Sequence, residues 1–302
     1  MRIFITGATG FVGINTVFEL SKNHELFLLV RNIDKARLFE GLSNVRFIKG
    51  DVVDFKADIS ENFDAIIHIA GRIKADNLQK LYQTNVDGCK NIALFAKQKG
   101  IRNIVYLSSL AARGPDERGY PVSHYGNSKR LGELEFLKLH FDSNLKILRP
   151  PIIYGPYDRG MLDVFRIAKT GFFPVLERVY SLVHVFDVVK AIEKLLYVNR
   201  QSAKVYYISG GDLTMEQLAK KLFEVFSKKG RIIKIPEIVI PLLRVLSHEG
   251  SPLTKDKLRE LKATKWLCDN TKLYRDTNFL PEIYHDDGLR KTALWYEEHG
   301  WL

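Results

Sequence analysis

Short apolar runs rich in branched and aromatic residues recur along the first half of the chain: Arg2 to Thr6, Leu26 to Val30, Val45 to Ile48, Ala65 to Ile69, Ile104 to Leu107 and Lys146 to Leu148. Amphipathic stretches of helix length separate them. This alternation predicts an α/β fold built on a doubly wound parallel sheet. The run Asp64-Ala-Ile-Ile-His-Ile-Ala70 is apolar almost throughout, as a central strand covered on both faces must be, and His68 within it reads as a packed core residue. After Pro150 the rhythm loosens. Residues 155–174 form an excursion containing a helix; a strand over Tyr180 to Val185, a helix and a strand over Val205 to Ser209 follow. A helix from Thr214, a mixed segment through Lys265 and a terminal helix from Gly288 to His299 complete the pattern. No repeat or low-complexity tract separates the parts, so a smaller, mostly C-terminal lobe is expected to be interleaved with the sheet.

With 302 residues, 46% hydrophobic and 27% charged, the chain can bury a full core and carry that second lobe. Cys89 and Cys268 lie far apart without metal-ligand spacing, so neither a disulfide framework nor a metal site is expected, and a cytoplasmic location fits. No charged leader or cleavage pattern precedes the strand at Arg2, and none is expected to be removed. The apolar run Ile238 to Leu246 is interrupted by Pro241 and Arg244 and is too short to span a bilayer; it reads as buried or pocket-lining. The net charge of +11 raises nucleic acid as a partner. Lys and Arg are scattered, however, and no nucleic-acid motif accompanies them, so an anionic small molecule explains part of the basicity better.

Such a molecule has an obvious seat. Ile3-Phe-Ile-Thr-Gly-Ala-Thr-Gly-Phe-Val-Gly13 places Gly7, Gly10 and Gly13 directly after the first strand and at the opening of a helix. Glycines there let the backbone approach a pyrophosphate while helix N-terminal amides stabilise its charge, the arrangement of a Rossmann-type dinucleotide site. Thr9, Phe11 and Val12 belong to the same turn. The second strand ends in Leu29-Val-Arg31-Asn32, where an NAD-selective site offers an acid to the adenine ribose. Arg31 suits a 2′-phosphate, with Lys35 as a second positive charge, and NADP is favoured over NAD. The alternatives are that Arg31 stacks on adenine or faces solvent.

Of the 13 tyrosines, only Tyr125 has a lysine four residues on, in His124-Tyr-Gly-Asn-Ser-Lys129. On a helix that spacing puts both side chains on one face. A tyrosine is a poor base near neutrality, and Lys129 is expected to lower its pKa so that it moves a proton to or from a substrate oxygen. Upstream, the strand Ile104-Val-Tyr-Leu ends in Ser108-Ser109, at the sheet edge where α/β folds bind ligands.

Taken together, GATGFVG, Gly50-Asp51-Val52, His68-Ile-Ala-Gly71, Asn85-Val-Asp-Gly88, SSLAARG, YGNSK and Arg149-Pro-Pro-Ile-Ile-Tyr-Gly-Pro156 resemble the extended short-chain dehydrogenases/reductases. The resemblance reaches the C-terminal Trp295-Tyr-Glu-Glu-His-Gly-Trp301. It implies that Ser109, Tyr125 and Lys129 are catalytic, and that Asp51 and Val52 contact adenine. It also implies that Ala70, Gly71, Asn85 and Ser108 line the cofactor and that the backbone of Pro150, Ile152 and Ile153 approaches the nicotinamide. Residues 1–154, rejoined by 181–209, would form the dinucleotide-binding domain, and 155–180 with 210–302 the substrate lobe. The family also implies a homodimer through the Tyr-Lys helix and the one around Val86 to Lys99.

The family holds ketone reductases, nucleotide-sugar epimerases and nucleotide-sugar dehydratases, all acting at a secondary alcohol or its carbonyl. Ser109-Leu110-Ala111 lacks the carboxylates that dehydration needs. Many epimerases place an arginine shortly before a His-Val pair to bind the substrate diphosphate; Tyr180 stands there in Tyr180-Ser-Leu-Val-His184-Val. That stretch, with Ile238-Val-Ile-Pro-Leu-Leu, is similar to steroid-dehydrogenase and dihydroflavonol-reductase members and favours a less polar carbonyl or alcohol. Arg159, Arg166 and Arg178 keep an epimerase open by offering another phosphate contact. A non-catalytic dinucleotide-binding protein is the remaining alternative, opposed by retention of Ser109, Tyr125 and Lys129. His184 has no partner for a triad and is expected to pack or cap.

Overall fold

The computed structural model describes residues 1–55, 59–74, 77–116, 119–139, 144–199, 204–239 and 255–302. The six apolar runs form β1 (Arg2–Thr6), β2 (Glu25–Val30), β3 (Val45–Lys49), β4 (Ala65–His68), β5 (Asn103–Leu107) and β6 (Asn144–Arg149). They pair in parallel in the order β6-β5-β4-β1-β2-β3. Between them run α1 (Phe11–Leu20), α2 (Leu78–Tyr82), α3 (Gly88–Gln98) and α4 (His124–Leu139). Successive strand residues point to opposite faces, so each central strand feeds two cores. Ile3, Ile5, Leu26, Leu28 and Ile67 pack against Val17 and Leu20 of α1. Phe4, Phe27, Ile66 and Ile104 pack against Ile92 and Phe95 of α3 and Phe136 of α4. Full burial of one such side chain stabilises by about 1.5–3 kcal/mol.

The chain then leaves the sheet through β7 (Ile152–Tyr154), α5 (Leu162–Lys169), β8 (Phe172–Val175) and β9 (Val179–His184). It returns with α6 (Val185–Leu196), which packs beside α1, and β10 (Lys204–Tyr207), which adds a seventh parallel strand next to β6. His184 caps α6, its ring nitrogen accepting from the Phe186 amide at 3.3 Å. β11 (Asp212–Thr214) and α7 (Met215–Val225) follow, joined by a capping box in which Thr214 and Gln217 exchange hydrogen bonds. Beyond lie β12 (Arg231–Lys234), α8 (Lys255–Leu261), β13 (Lys265–Trp266), α9 (Thr271–Thr277) and α10 (His285–Glu298). The last helix begins three residues before the Gly288 expected from sequence. β9 pairs with β7, β11 and β13 rather than with the main sheet. A separate core that includes Tyr154, Phe165, Phe173, Leu222 and Tyr296 supports this region. Of the apolar run Ile238 to Leu246, residues 240–246 lie outside the described residues. Among the described residues no helix is long and apolar enough to cross a membrane.

His68 is fully buried in β4, its Nδ1 2.7 Å from Thr6 Oγ1 and its Nε2 3.4 Å from Cys89 Sγ. Burial, helped by the Lys129 charge, holds its pKa down at about 3, against 6.5 when exposed. The folded state therefore keeps His68 neutral while the unfolded chain takes up a proton below pH 6.5, so stability falls as the medium is acidified through this window. His68 alone is expected to cost about 2 kcal/mol between pH 6.5 and about pH 5. His184, held at about 4 by burial, adds to the loss. Urea unfolding at the two pH values tests this, and His68→Gln should flatten the dependence.

Candidate active site

β1 enters α1 through a turn that only glycine permits. Gly7 lies at φ +76°, and a Cβ on it would stand 2.5 Å from the Ala70 nitrogen; one on Gly13 would stand 2.0 Å from the Gly7 carbonyl oxygen. α1 starts behind Gly10 with no side-chain cap and no acid in its first turn. The amides of Phe11, Val12 and Gly13 at that N-terminus are thus oriented toward an anion. A Cβ on Gly10 would meet only the Gly7 oxygen, at 3.3 Å, so the space before the turn is open, and Thr9 borders it half-exposed. These features fit a dinucleotide pyrophosphate.

At the far end of β2, exposed Arg31 lies 3.4 Å from Asp51, whose other oxygen accepts from the Val53 amide at 3.1 Å. An exposed pair of this kind contributes under about 1 kcal/mol, so the guanidinium is free to exchange partners. Val52 is buried in the α3-side core, and Lys35 stands exposed in the turn Asp34–Phe39.

Beyond β4 the Ala70 amide donates to Thr6 Oγ1 at 3.3 Å. Gly71 sits between Asn85 and Lys129, where a Cβ would stand 3.2 Å from the Asn85 oxygen and 3.5 Å from Lys129 Nζ. Buried Asn85 accepts from the Arg72 amide at 2.8 Å and donates to the Arg72 carbonyl at 2.9 Å and to Ser128 at 2.8 Å. Its amide thereby staples the loop after β4 onto α4.

α4 carries Tyr125 and Lys129 on one face. Burial pushes the Tyr125 phenol up to about 12; a hydrogen bond with Ser109 acts the other way, and Glu260 adds to the rise. Lys129, expected to lower this pKa together with a bound nicotinamide, is not among these three causes. The Lys129 ammonium donates to the Leu107 carbonyl at 2.7 Å and lies 4.5 Å from the centre of the Tyr106 ring. Burial also brings Lys129 itself down to about 8. Ser109 is close to Tyr125, and its Oγ also accepts from the Ala111 amide at 3.2 Å. Ser108 turns to buried Glu133 instead. The Pro150 carbonyl accepts from the Leu110 amide at 2.8 Å, and half-buried Ile152 and Ile153 line β7 beyond it.

Tyr125 packs in apolar and aromatic surroundings. Leu110, Ala111, Ala263 and Trp266 form a buried cluster on which Val122, Tyr125, Tyr180, Tyr207 and Cys268 pack. The arginines considered as phosphate ligands have protein partners. Arg178, with its side chain 1% exposed, binds Glu237 at 2.5 and 2.8 Å and the Leu261 carbonyl at 2.8 Å. Arg166 binds Asp163 at 3.3 Å and the Trp301 carbonyl at 2.9 Å, and Arg159 lies over the Trp301 ring.

Two carboxylates beside the site were not singled out from sequence. Glu133 joins Ser108 to Arg149, accepting from that guanidinium at 2.8 and 2.5 Å. Its place one turn past Lys129, on the same helix face, is a signal that was available. Asp256 accepts from the His124 and Tyr125 amides at 2.7 and 3.0 Å across 131 residues or more of chain, and no local pattern announces it.

The model of the NAD dependent epimerase/dehydratase family matches residues 3–209. The chain is 30% identical over 317 residues to ceramide reductase of Caulobacter vibrioides, covering 99% of this chain and 96% of that protein. It is 26% identical to UDP-glucose 4-epimerase of Vibrio cholerae over 266 residues, 78% of each. Its fold matches the Bordetella bronchiseptica enzyme WbmG in complex with NAD, at a TM-score of 0.80 and 19% identity over 100% of this chain and 95% of that one.

Proposed function

The chain belongs to the NAD dependent epimerase/dehydratase family of enzymes, and from that premise we propose that it is a reductase that interconverts a carbonyl and a secondary alcohol on a largely apolar substrate. One observation carries the choice within the family: Tyr125 lies in an apolar, aromatic cluster, and Arg159, Arg166 and Arg178 are engaged within the protein. Similarity over nearly the whole chain to a ceramide reductase supports it. When bound, the nicotinamide supplies the hydride. The chain's own groups manage the oxygen: Ser109 donates a hydrogen bond to it, Tyr125 Oη passes it a proton, and the Lys129 ammonium stabilises the phenolate left behind and holds the nicotinamide ribose. Residues 1–154 with 181–209 hold the dinucleotide, and 155–180 with 210–302 receive the substrate. A cytoplasmic homodimer built through α3 and α4 completes the proposal. A nucleotide-sugar epimerase is the second reading, favoured by the likeness to the Vibrio protein. Near-ultraviolet absorbance of NADPH, followed against panels of hydrophobic ketones and of nucleotide sugars, separates them: loss of NADPH with the ketones supports the reductase, and isomerised sugar with NADPH unchanged overturns it.

The same proposal has NADP as the preferred cofactor. Arg31 stands exposed at the end of β2 with only a weak tie to Asp51. Charge-assisted hydrogen bonds of about 1.5–3 kcal/mol predict that Arg31→Ala weakens NADPH binding by about 10- to 100-fold and changes NADH binding little. Fluorescence titration of both dinucleotides checks this; equal losses for the two would contradict a 2′-phosphate contact.

A further inference from the structure

A helix leaves its first amides without internal partners, and α4 must find acceptors for them close to the reacting groups. One comes from its own flank: Ser123 Oγ accepts from the Gly126 amide at 3.0 Å. The other two amides, His124 and Tyr125, are taken by the two carboxylate oxygens of Asp256, at 2.7 and 3.0 Å. Asp256 is 8% exposed and stands on α8, in the proposed substrate lobe. Exposed Arg259 is 3.6 Å away. A buried carboxylate on the amide end of a helix makes short, charge-assisted bonds and also meets the positive end of the helix dipole. One turn further along α8, Glu260 accepts from Ser123 Oγ at 2.8 Å, so the two lobes are joined at this helix end by three hydrogen bonds.

We propose that Asp256 is a positioning residue for Tyr125: from the substrate lobe it grips the first two amides of α4 and so fixes where the phenol stands relative to Ser109. The proposal rests on Tyr125 being the proton donor. Tyr125 is itself one of the gripped residues, so a shift of α8 is passed directly to its backbone. Trp266, whose indole donates to the Glu260 carbonyl at 3.2 Å, and Ala263 continue from α8 into the cluster that packs on the phenol. The segment from α8 to β13 thus contacts both ends of the same residue. Charge reaches the phenol by the same route. Ser109, Tyr180, Tyr207 and Cys268 face it from the other elements, Lys129 follows one turn along α4 with Tyr106 beneath it, and Glu260, paired with Lys257 at 3.0 Å, acts on it from α8.

Asp256→Asn keeps the shape but offers one accepting oxygen, and turns an NH2 group toward the second amide. It is expected to lower kcat by about tenfold or more, because small misplacements of a catalytic group are costly, with NADPH affinity unchanged. Asp256→Glu, which restores both acceptors, should recover part of that loss. Removing the Glu260 charge eases ionisation of Tyr125, so in Glu260→Gln the alkaline rise of alcohol oxidation should move to lower pH, a shift that a purely structural contact would not produce. Tyr125→Phe run alongside separates the two ideas. If Tyr125→Phe retains activity, the assignment of Tyr125 fails; if it abolishes activity while Asp256→Asn keeps wild-type kcat, the positioning role fails. Should Asp256→Asn not fold, Asp256→Ser, which keeps a single acceptor, takes its place, and wild-type kcat in it overturns the proposal.

Discussion

Tyr125→Phe is expected to lower turnover by about three orders of magnitude while leaving dinucleotide affinity nearly unchanged. The substitution removes one oxygen from a side chain whose ring is held in place by Leu110, Ala111 and Trp266, so packing persists and only the proton is lost. A positioned general acid contributes about 10²- to 10⁴-fold. The pH dependence carries the same signature. Burial holds the phenol up at about 12, so it remains protonated and competent for carbonyl reduction at neutral pH. Lys129, brought down to about 8, loses its charge above that pH and with it, under the proposed mechanism, the stabilisation of the phenolate formed by proton transfer. Reduction should therefore hold steady toward neutrality and decline above about pH 8. Steady-state rates across pH for wild type and variant, with cofactor binding measured separately, check both statements. A variant with more than a tenth of wild-type turnover would exclude Tyr125 as the proton donor.

The second large effect concerns the support beneath the site. Glu133→Ala is expected to destabilise the fold by about 3–5 kcal/mol, since it leaves a buried guanidinium without its counter-charge. Glu133 and Arg149 are 4% and 12% exposed at their side chains, and Ser108 loses its acceptor in the same step. Arg149 also donates to Tyr207 Oη at 2.9 Å, so the change reaches the apolar cluster around Tyr125. Denaturant unfolding measures the cost. Replacing Glu133 and Arg149 together by methionine should return much of it, because the penalty lies in the unpaired charge more than in a missing attraction. A loss below about 1 kcal/mol in the single variant would show that Arg149 finds water or another acceptor.

What the sequence disclosed follows from the range over which each feature is encoded. The strands of the sheet, the turn from Gly7 to Gly13 and the placing of Tyr125 and Lys129 one turn apart on a helix depend on residues a few positions apart, and they lie where the pattern placed them. His184 as a cap and His68 as a core residue also follow from local context. Contacts between distant segments were not legible. Arg178 was a candidate phosphate ligand because its partner Glu237, 59 residues on, leaves no mark beside it. For Lys129 the spacing gives the helix face but not the rotamer, and its bond to the Leu107 carbonyl, 22 residues back, leaves no mark beside it. Asp256 is the furthest removed, and only the folded chain brings it to α4.

The central claim is net hydride delivery to a carbonyl carbon of an apolar substrate, and transfer from NADPH carrying deuterium at both positions of the nicotinamide C4 tests it most directly. With a hydrophobic ketone, mass spectrometry should find deuterium at the new carbinol carbon, in a yield equal to the NADP+ formed, and none with Tyr125→Phe. Unlabelled product would contradict the claim, and a nucleotide sugar isomerised while the labelled NADPH stays intact would contradict it and assign the chain to the epimerases.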